Sequence, residues 1–312
     1  MGQRRLLRAR QPIETVLADP ATPTETRERL ILALQVREFA IELGLDVGEQ
    51  YTSFVEWPGD RVVTAVVATQ PGTVTPAGFH FLLLGRLPYK GFFDRERAEK
   101  EAEALRADGL NVCEFGVSAY STLGWMDDPI TEPMLRQELG QLAEAILHEL
   151  VHATVYLKDH ANFNESIASF IGEEGSVLFF ENNLQPELAH RRRLKIEDVR
   201  RVDAELLRFR GEVSALYASQ DSGTSRDEIR RDLEERARKR IRNLPLGTLD
   251  PNQLAAVLRM NDAFLALTGT YASELERYAA LFSRLDGDLS ALIARLKDVK
   301  DSKDPLEALL AD

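Results

Sequence analysis

The sequence His148-Glu149-Leu150-Val151-His152, followed twelve residues later by Asn164-Glu165, is the most informative stretch of the chain. On an α-helix, two side chains four positions apart lie on one face and about one turn apart, so both imidazoles can bind a single metal ion. Glu149 then lies beside the coordination position that the protein leaves open, where a water molecule would be activated for hydrolysis. The pattern therefore predicts a hydrolytic metal centre with His148 and His152 as ligands.

The segment around this pattern has the periodicity of a long helix. From Pro133 the chain continues as MLRQELGQLAEAILHELVHATVYLK (134–158), in which apolar residues recur at helical spacing and only Gly140 interrupts them. We expect one continuous helix here, with the two histidines in its second half.

A third protein ligand is expected, because catalytic zinc sites usually combine three protein ligands with one water. His160 cannot reach the same ion along a straight helix, since eight residues span about 12 Å. The segment KDHANFN (158–164) predicts a turn, after which Asn164 can cap a second helix. Glu165 would lie in the first turn of that helix, and we predict a His2Glu ligand set for Zn²⁺ with one position left for water.

Other interpretations of this region stay open. Glu173 and Glu174 are the second candidates for the carboxylate ligand; otherwise they support the ligands or lie on a solvated face. The histidines and the glutamate could also form a surface hydrogen-bond network without a metal. Small residues on the face of the second helix that continues from Glu165 would allow the two helices to approach closely: Ala168, Ser169 and Gly172.

Several segments of the chain also match a known pattern: LPYKGFF (87–93), AYSTLGWMDDP (119–129), HELVH (148–152) and FNESIASFIGEEG (163–175). Through most of its length the chain resembles a bacterial family of predicted aminopeptidases, metallopeptidases of the gluzincin type. The resemblance implies that His148, His152 and Glu165 bind zinc and that Glu149 is the general base.

The carboxylate segment is similar to its counterpart in gluzincin aminopeptidases but departs from thermolysin. Residues 164–168, Asn-Glu-Ser-Ile-Ala, resemble the N-E-x-x-A segment that supplies the glutamate ligand. The twelve-residue spacer is shorter than in thermolysin, and Ser169 stands where thermolysin-like proteins carry an aspartate that supports a histidine. The groups that support the ligands are therefore expected to differ.

Tyrosines are candidates for stabilising the oxyanion, because a phenol donates a hydrogen bond without carrying a charge. Tyr120 and Tyr271 are the predicted catalytic tyrosines, and Tyr156 is a further candidate; ordinary packing is the alternative for each. Residues 111–120, NVCEFGVSAY, predict a strand, and residues 115–121 could align an extended peptide through backbone hydrogen bonds.

Asp127-Asp128-Pro129 has two interpretations. Asp128 followed by Pro129 is a usual start of a helix. Alternatively, Asp127 or a neighbouring carboxylate pairs with the free amino terminus of a substrate. Farther along the chain, Asn261 and Tyr271 are expected to face the site.

The order of elements predicts an α+β, predominantly helical fold of zincin-like type, in which a small sheet precedes the metal-binding helix and the C-terminal part is helical. We expect a zincin-like catalytic region at 1–185 and a helical region at 186–312 with a long helical hairpin packed on it. The predicted elements before the metal helix are helices within 10–45, strands at 61–69, 79–85 and 111–120, and a helix at 95–108.

The composition of the chain limits the kinds of molecule that it is expected to bind. A net charge of -12 over 312 residues argues against nucleic-acid binding, and peptides or other small amines fit better. Cys113 is the single cysteine, which excludes an intrachain disulfide, and no run of about 20 apolar residues predicts a membrane span. The opening MGQRRLLRARQPIETVLADP resembles the start of a mature region, so a cell-envelope location after removal of a leader and a cytoplasmic location both stay open.

The predicted function is that of a zinc aminopeptidase acting on peptides, with Glu149 as the base. A zinc endopeptidase is one alternative. A zinc-stabilised binding or scaffold protein without catalysis is the other.

Overall fold

The computed structural model describes residues 2–81, 85–119, 122, 126–219, 225–300 and 302–311. The fold is α+β and predominantly helical, as predicted. The strands are β1 (Gln11–Pro12), β2 (Ser53–Val55), β3 (Val63–Thr69), β4 (Phe79–Phe81), β5 (Gly85–Leu87), β6 (Tyr89–Phe92), β7 (Asn111–Val117) and β8 (Ile130–Thr131).

Helices make up most of the described chain. They are α1 (Gly2–Arg8), α2 (Ile13–Ala18), α3 (Thr24–Glu42), α4 (Arg95–Ala107), α5 (Glu132–Leu135), α6 (Leu139–Thr154), α7 (Ala161–Asn182), α8 (Pro186–Ala218), α9 (Arg226–Arg242), α10 (Pro251–Val257), α11 (Asp262–Ala272), α12 (Leu275–Arg284), α13 (Leu289–Asp298) and α14 (Pro305–Leu310). In the described ranges, no helix combines the length and the apolarity needed to cross a bilayer.

The sheet that reaches the site has the strand order β6-β3-β7, with both pairings antiparallel. Its central strand β3 is buried along its whole length, which suits its run of valines and alanines. Side chains alternate between the two faces of a strand. Val66 and Ala68 pack against Ala98 of α4 on one face, whereas Val67 packs against Cys113 and Ala263 on the other. The second face is therefore the one turned toward α11 and the site.

The remaining strands form two further sheets. In the first, β1 pairs with β2 in antiparallel and β2 with β8 in parallel orientation, so that residues near 54 and 130 lie side by side. In the second, β4 and β5 form an antiparallel pair. The strands thus precede α6, the helix that carries His148 and His152, as predicted.

The largest cluster of buried apolar side chains surrounds α7 and draws on the chain from Ile13 to Leu309. It includes Ala189 and Ile196 of α8 as well as many residues before residue 186. The two predicted regions therefore share one core, and a domain boundary at 186 stays a prediction.

The predicted hairpin of two long helices is present as α8 and α9. At one end, Arg226 donates to the backbone oxygen of Ser219, and at the other end Arg240 pairs with Glu205 and Glu212. The helices are consequently antiparallel. Their arginines lie mostly in ion pairs with neighbouring glutamates and aspartates, as the mixed charges of the sequence predicted.

The prediction of one continuous helix over 134–158 was wrong. α5 ends at Leu135, α6 begins at Leu139, and α6 ends at Thr154 where Val155 becomes extended. Tertiary hydrogen bonds compete with the helical ones at the first break, because the Gln137 carbonyl accepts from Arg29 and the Gln137 side chain donates to Ser118. Such contacts routinely override local propensity.

Candidate metal centre

Three side chains from α6 and α7 converge on one point. The Nε2 atoms of His148 and His152 are 3.1 Å apart, and Glu165 Oε2 lies 3.4 Å from the first and 3.5 Å from the second. Ligands on a tetrahedral ion with bonds of about 2.0–2.1 Å are separated by roughly 3.3 Å. The three atoms are thus spaced as ligands of one cation. Among the described residues, these are the three that group in this way.

The polar chemistry of the cluster also fits a cation. His152 and Glu165 are buried, so their polar atoms in the cluster are shielded from bulk water. Burial alone would raise the pKa of Glu165, but the charge of His152 and hydrogen bonds from both histidines outweigh it and hold that pKa below its usual range. An ionised carboxylate beside two imidazole nitrogens is a donor set that a divalent metal ion accepts.

Close packing of α6 against α7 brings the three side chains together. A Cβ atom at Gly172 would lie 2.9 Å from the backbone oxygen of Glu144 and 3.3 Å from His148 Cβ. The absence of a side chain at this position therefore allows the approach. The expected close approach at a small residue is confirmed at Gly172, and Ala168 of the same predicted face is fully buried.

Replacing Gly172 by alanine is expected to lower the free energy of unfolding by about 1–3 kcal/mol, because the new methyl group meets backbone that cannot rotate away. Gly211→Ala in α8 is the matched control, since nothing lies within 4 Å of a Cβ there. That variant should be neutral or gain about 0.5–1 kcal/mol from helix propensity. Urea unfolding of both proteins measures the effect, and equal stability of the two variants would contradict it.

The connection between α6 and α7 differs in detail from the prediction. α7 begins at Ala161, after His160, so Asn164 does not cap it. The Asn164 side chain instead accepts from the backbone nitrogen of Leu157 at 3.0 Å and donates to its oxygen at 2.7 Å. Asp159, with a φ of 66°, accepts from the backbone nitrogen of Arg86 and ties the same turn to β5. These contacts hold the connection between α6 and α7 in place and so set the position of Glu165 relative to the two histidines.

A cavity of about 270 Å³ opens beside these three side chains. Glu149 lines it together with both histidines and Glu165. The remaining lining is apolar or aromatic and comes from the sheet and its neighbours: Phe81, Leu87, Tyr89, Gly91, Phe115, Val117, Ala119, Tyr156 and Tyr271. Phe115 and Val117 of β7 belong to the segment predicted to align a peptide, and that alignment stays a prediction.

Tyr89 and Tyr271 contact the cluster from the side of the sheet and α11. The Tyr89 hydroxyl donates to Glu165 Oε1 at 3.2 Å, and it also interacts with the Tyr271 hydroxyl. The Tyr271 ring stacks on His148 at a centroid distance of 6.4 Å. Burial, followed by the charge of Glu165, raises the pKa of both tyrosines well above the usual value, so both stay neutral hydrogen-bond donors.

The other predicted tyrosines have different outcomes. The Tyr156 ring lies edge-on to His152 at 6.2 Å, and burial raises the pKa of its hydroxyl to about 12. Tyr120 lies outside the described residues. Tyr89 is not among the residues that the sequence predicts for the site, although it lies in the segment 87–93 that carries the family resemblance.

Further predicted residues lie away from the cluster. Glu173 and Glu174 form ion pairs with Arg200, and Glu174 also pairs with Arg193, so they are not ligands of the same ion. The prediction that Asn261 faces the site was wrong, because its side chain accepts from the Phe264 nitrogen as the cap of α11 and donates to a carbonyl of β7.

Asp128 is not the start of a helix, because α5 begins at Glu132 with Thr131 before it. Asp128 is 1% exposed, and its Oδ2 atom accepts from the nitrogen and hydroxyl of Thr122. Its Oδ1 atom has no partner among the described residues. Burial, with a further contribution from the charge of Glu149, raises the pKa of Asp128 to about 7 despite the bonds from Thr122. The neighbouring Asp127 is exposed.

The raised pKa of Asp128 predicts a pH-dependent effect of Asp128→Asn. An unfolded aspartate ionises near its usual pKa of 3.8, whereas the folded one ionises near 7, so the native protein loses stability as the pH rises between these values. Asparagine removes that loss. The difference in the free energy of unfolding between Asp128→Asn and the wild-type protein should therefore shift in favour of the variant by about 2–3 kcal/mol between pH 5 and pH 8. Urea unfolding at both pH values measures it. A difference of the same size at both pH values would contradict the assignment.

Comparison with known proteins adds one decisive observation. A family model described as "Putative aminopeptidase" matches residues 1–308. The chain belongs to this aminopeptidase family. The match covers nearly the whole chain and confirms the aminopeptidase family that the four sequence segments indicated, whereas the gluzincin type stays a prediction. No curated protein and no solved structure gives a match.

Proposed function

We propose that this member of the aminopeptidase family is a zinc-dependent enzyme that removes residues from the amino terminus of peptides. The observation that carries the proposal is the convergence of His148, His152 and Glu165 beside Glu149, in a cavity whose other described lining residues are apolar or aromatic. The match to the family supports the class of reaction. The spacing of two imidazole nitrogens and one carboxylate oxygen supports the choice of zinc.

His148, His152 and Glu165 would hold the ion and leave one position open. Zinc held there supplies Lewis-acid polarisation of the scissile carbonyl and lowers the pKa of a water molecule. The burial of His152 and Glu165 keeps bulk water from competing for these two ligands.

Glu149 moves the proton in the proposed reaction. Its position next to His148 on α6 places it in the lining of the same cavity without contributing a ligand atom to the cluster. The carboxylate accepts a proton from the attacking water and then delivers it to the nitrogen of the leaving amine. One side chain thus serves as base and then as acid.

Tyr271 is the proposed donor to the carbonyl oxygen as negative charge develops there. It lines the cavity, stacks on His148 and stays neutral because its pKa is raised. Donors of this kind are worth about 10²–10³ in kcat. Tyr120 stays the second predicted donor.

Tyr89 positions a ligand in this proposal and does not react. Its hydroxyl fixes Glu165 Oε1 and leaves Oε2 turned toward the histidines. Tyr89→Phe is expected to weaken zinc affinity about 10–100-fold, which is the usual effect of losing a hydrogen bond to a ligand. Tyr271→Phe is the matched variant and should lower kcat more than zinc affinity. Titration with a competing chelator measures the affinities, and wild-type affinity in Tyr89→Phe would contradict the role.

An endopeptidase is the second candidate, and one observation favours it. In the described lining of the cavity, Glu149 and Glu165 are the only carboxylates, so that lining offers no separate acidic partner for a free amino terminus. Aminopeptidases distinguish their substrates from blocked or internal peptide bonds by this free amino group. The two activities differ in their response to a blocked terminus.

Paired substrates test the proposal. Zinc-loaded protein is assayed on aminoacyl p-nitroanilides and on short peptides with a free or an acetylated amino terminus. We expect hydrolysis of the free substrates, little hydrolysis of the acetylated ones, loss of activity on chelation and recovery with zinc. Internal cleavage of acetylated peptides would establish the endopeptidase instead. Bound zinc with no hydrolysis in either series would contradict both and support a binding or scaffold protein.

A further inference from the structure

One wall of the cavity is a face of the β6-β3-β7 sheet, and its register is known. Gly91 and Phe115 pair with Ala65 from opposite sides, and Tyr89 pairs with Val67 in the adjoining row of the same face. Val117, two residues after Phe115, lies on this face as well. Four residues of the sheet thus line the cavity on one side: Tyr89, Gly91, Phe115 and Val117.

The histidines and carboxylates in the described lining all belong to the proposed reaction machinery. They are His148, Glu149, His152 and Glu165, and the described lining contains no lysine or arginine. A carboxylate on the substrate would find no cationic side chain there. A buried charge without a partner is costly, so the cavity disfavours an acidic side chain next to the scissile bond. The two carboxylates that could pair with a basic side chain, Glu149 and Glu165, are already engaged as the proposed base and ligand, which disfavours a basic side chain as well.

The size of the cavity suits one large apolar side chain. Its volume of about 270 Å³ lies just below the roughly 300–1,000 Å³ of typical small-molecule pockets. The space must hold the reacting groups as well as the side chain. The apolar residues Phe115, Val117 and Leu87 line this space.

Gly91 lines the cavity on the side of the sheet. It is an exposed residue inside a strand, a place where glycine weakens the sheet and commonly marks the close approach of a ligand. A Cβ atom at residue 91 would meet one neighbouring atom, Val63 Cγ1 at 2.9 Å, so the rest of a larger side chain would have to project from the cavity wall.

We infer that the cavity binds an apolar side chain, aromatic or branched aliphatic, on the substrate residue that borders the scissile bond, and that Gly91 is the specificity-determining position. The inference rests on the proposed function. It adds the class of substrate that the proposed enzyme selects.

Binding to a protein that cannot turn over separates this inference from the activity itself. Zinc-loaded Glu149→Gln protein is titrated calorimetrically with the dipeptide amides Phe-Ala, Ala-Phe, Lys-Ala, Ala-Lys, Glu-Ala and Ala-Glu. The expected result is at least about tenfold tighter binding of phenylalanine than of lysine or glutamate at one of the two positions. Equal affinities at both positions would overturn the inference, even if the wild-type enzyme hydrolyses peptides.

A second variant tests whether the face of the sheet that contains Gly91 selects the substrate side chain. Gly91→Val, added to Glu149→Gln, should weaken binding of the preferred phenylalanine dipeptide at least about tenfold and leave Ala-Ala amide within about twofold. Gly116→Val is the matched control, because Gly116 is an exposed glycine of β7 in register with Thr64, on the opposite face. Equal weakening of both dipeptides by Gly91→Val, in protein with full zinc content and an unchanged unfolding midpoint, would overturn the role of Gly91.

Discussion

Glu149→Gln is expected to lower kcat by about 10²–10⁴-fold and to leave the zinc content at the wild-type level. Glutamine has nearly the same shape as glutamate but cannot accept the proton of the attacking water. The three ligands and the packing of α6 on α7 are untouched by the change. The measurement is kcat on an aminoacyl p-nitroanilide together with metal analysis of the same preparation.

The control for this variant is Glu181→Gln, which makes the same chemical change at an exposed glutamate near the end of α7. It should retain wild-type kcat and zinc. Full activity of Glu149→Gln would contradict the role of Glu149 as the base. Loss of zinc from that variant would show instead that the carboxylate helps to hold the ion.

Glu165→Ala is expected to reduce zinc affinity far more than hundredfold and to abolish hydrolysis. It removes one of three protein ligands, a larger loss than the 10–100-fold that follows from losing a group around the ligands. It also removes the acceptor of the Tyr89 hydroxyl. Zinc affinity is measured by competition with a chromophoric chelator, and activity is measured at saturating zinc.

Ser169→Ala is the matched control for the ligand variant. Ser169 lies one turn after Glu165 on α7, at the position where thermolysin-like proteins have an aspartate. Because it lies outside the cluster, we expect wild-type zinc affinity in this variant. Unchanged zinc affinity in Glu165→Ala would identify a different third ligand.

The local part of the site follows directly from the sequence. His148 and His152 are four residues apart on an amphipathic helix, and that spacing alone places both imidazoles on one face. Glu165 follows after a turn short enough to return the chain to the same helix. The predicted small residue at 172 is indeed where α6 and α7 meet.

Contacts of the site that join residues far apart in the chain could not be predicted from any local sequence pattern. Tyr89 is 76 residues from its partner Glu165, and its contact depends on how β6 pairs with β3, which spacing in the sequence does not reveal. The same limit explains why Asn261 was placed wrongly, since its partner is a carbonyl of β7. The break between α5 and α6 likewise arises from contacts of Gln137 with residues far away in the chain.

Anomalous diffraction at the zinc edge tests the central claim most directly. The account predicts one strong peak about 2.0–2.2 Å from His148 Nε2, His152 Nε2 and a carboxylate oxygen of Glu165, with the remaining position facing Glu149 and the cavity. A zinc-soaked crystal without a peak between α6 and α7, or with the Glu165 carboxylate turned away from the peak, would contradict it.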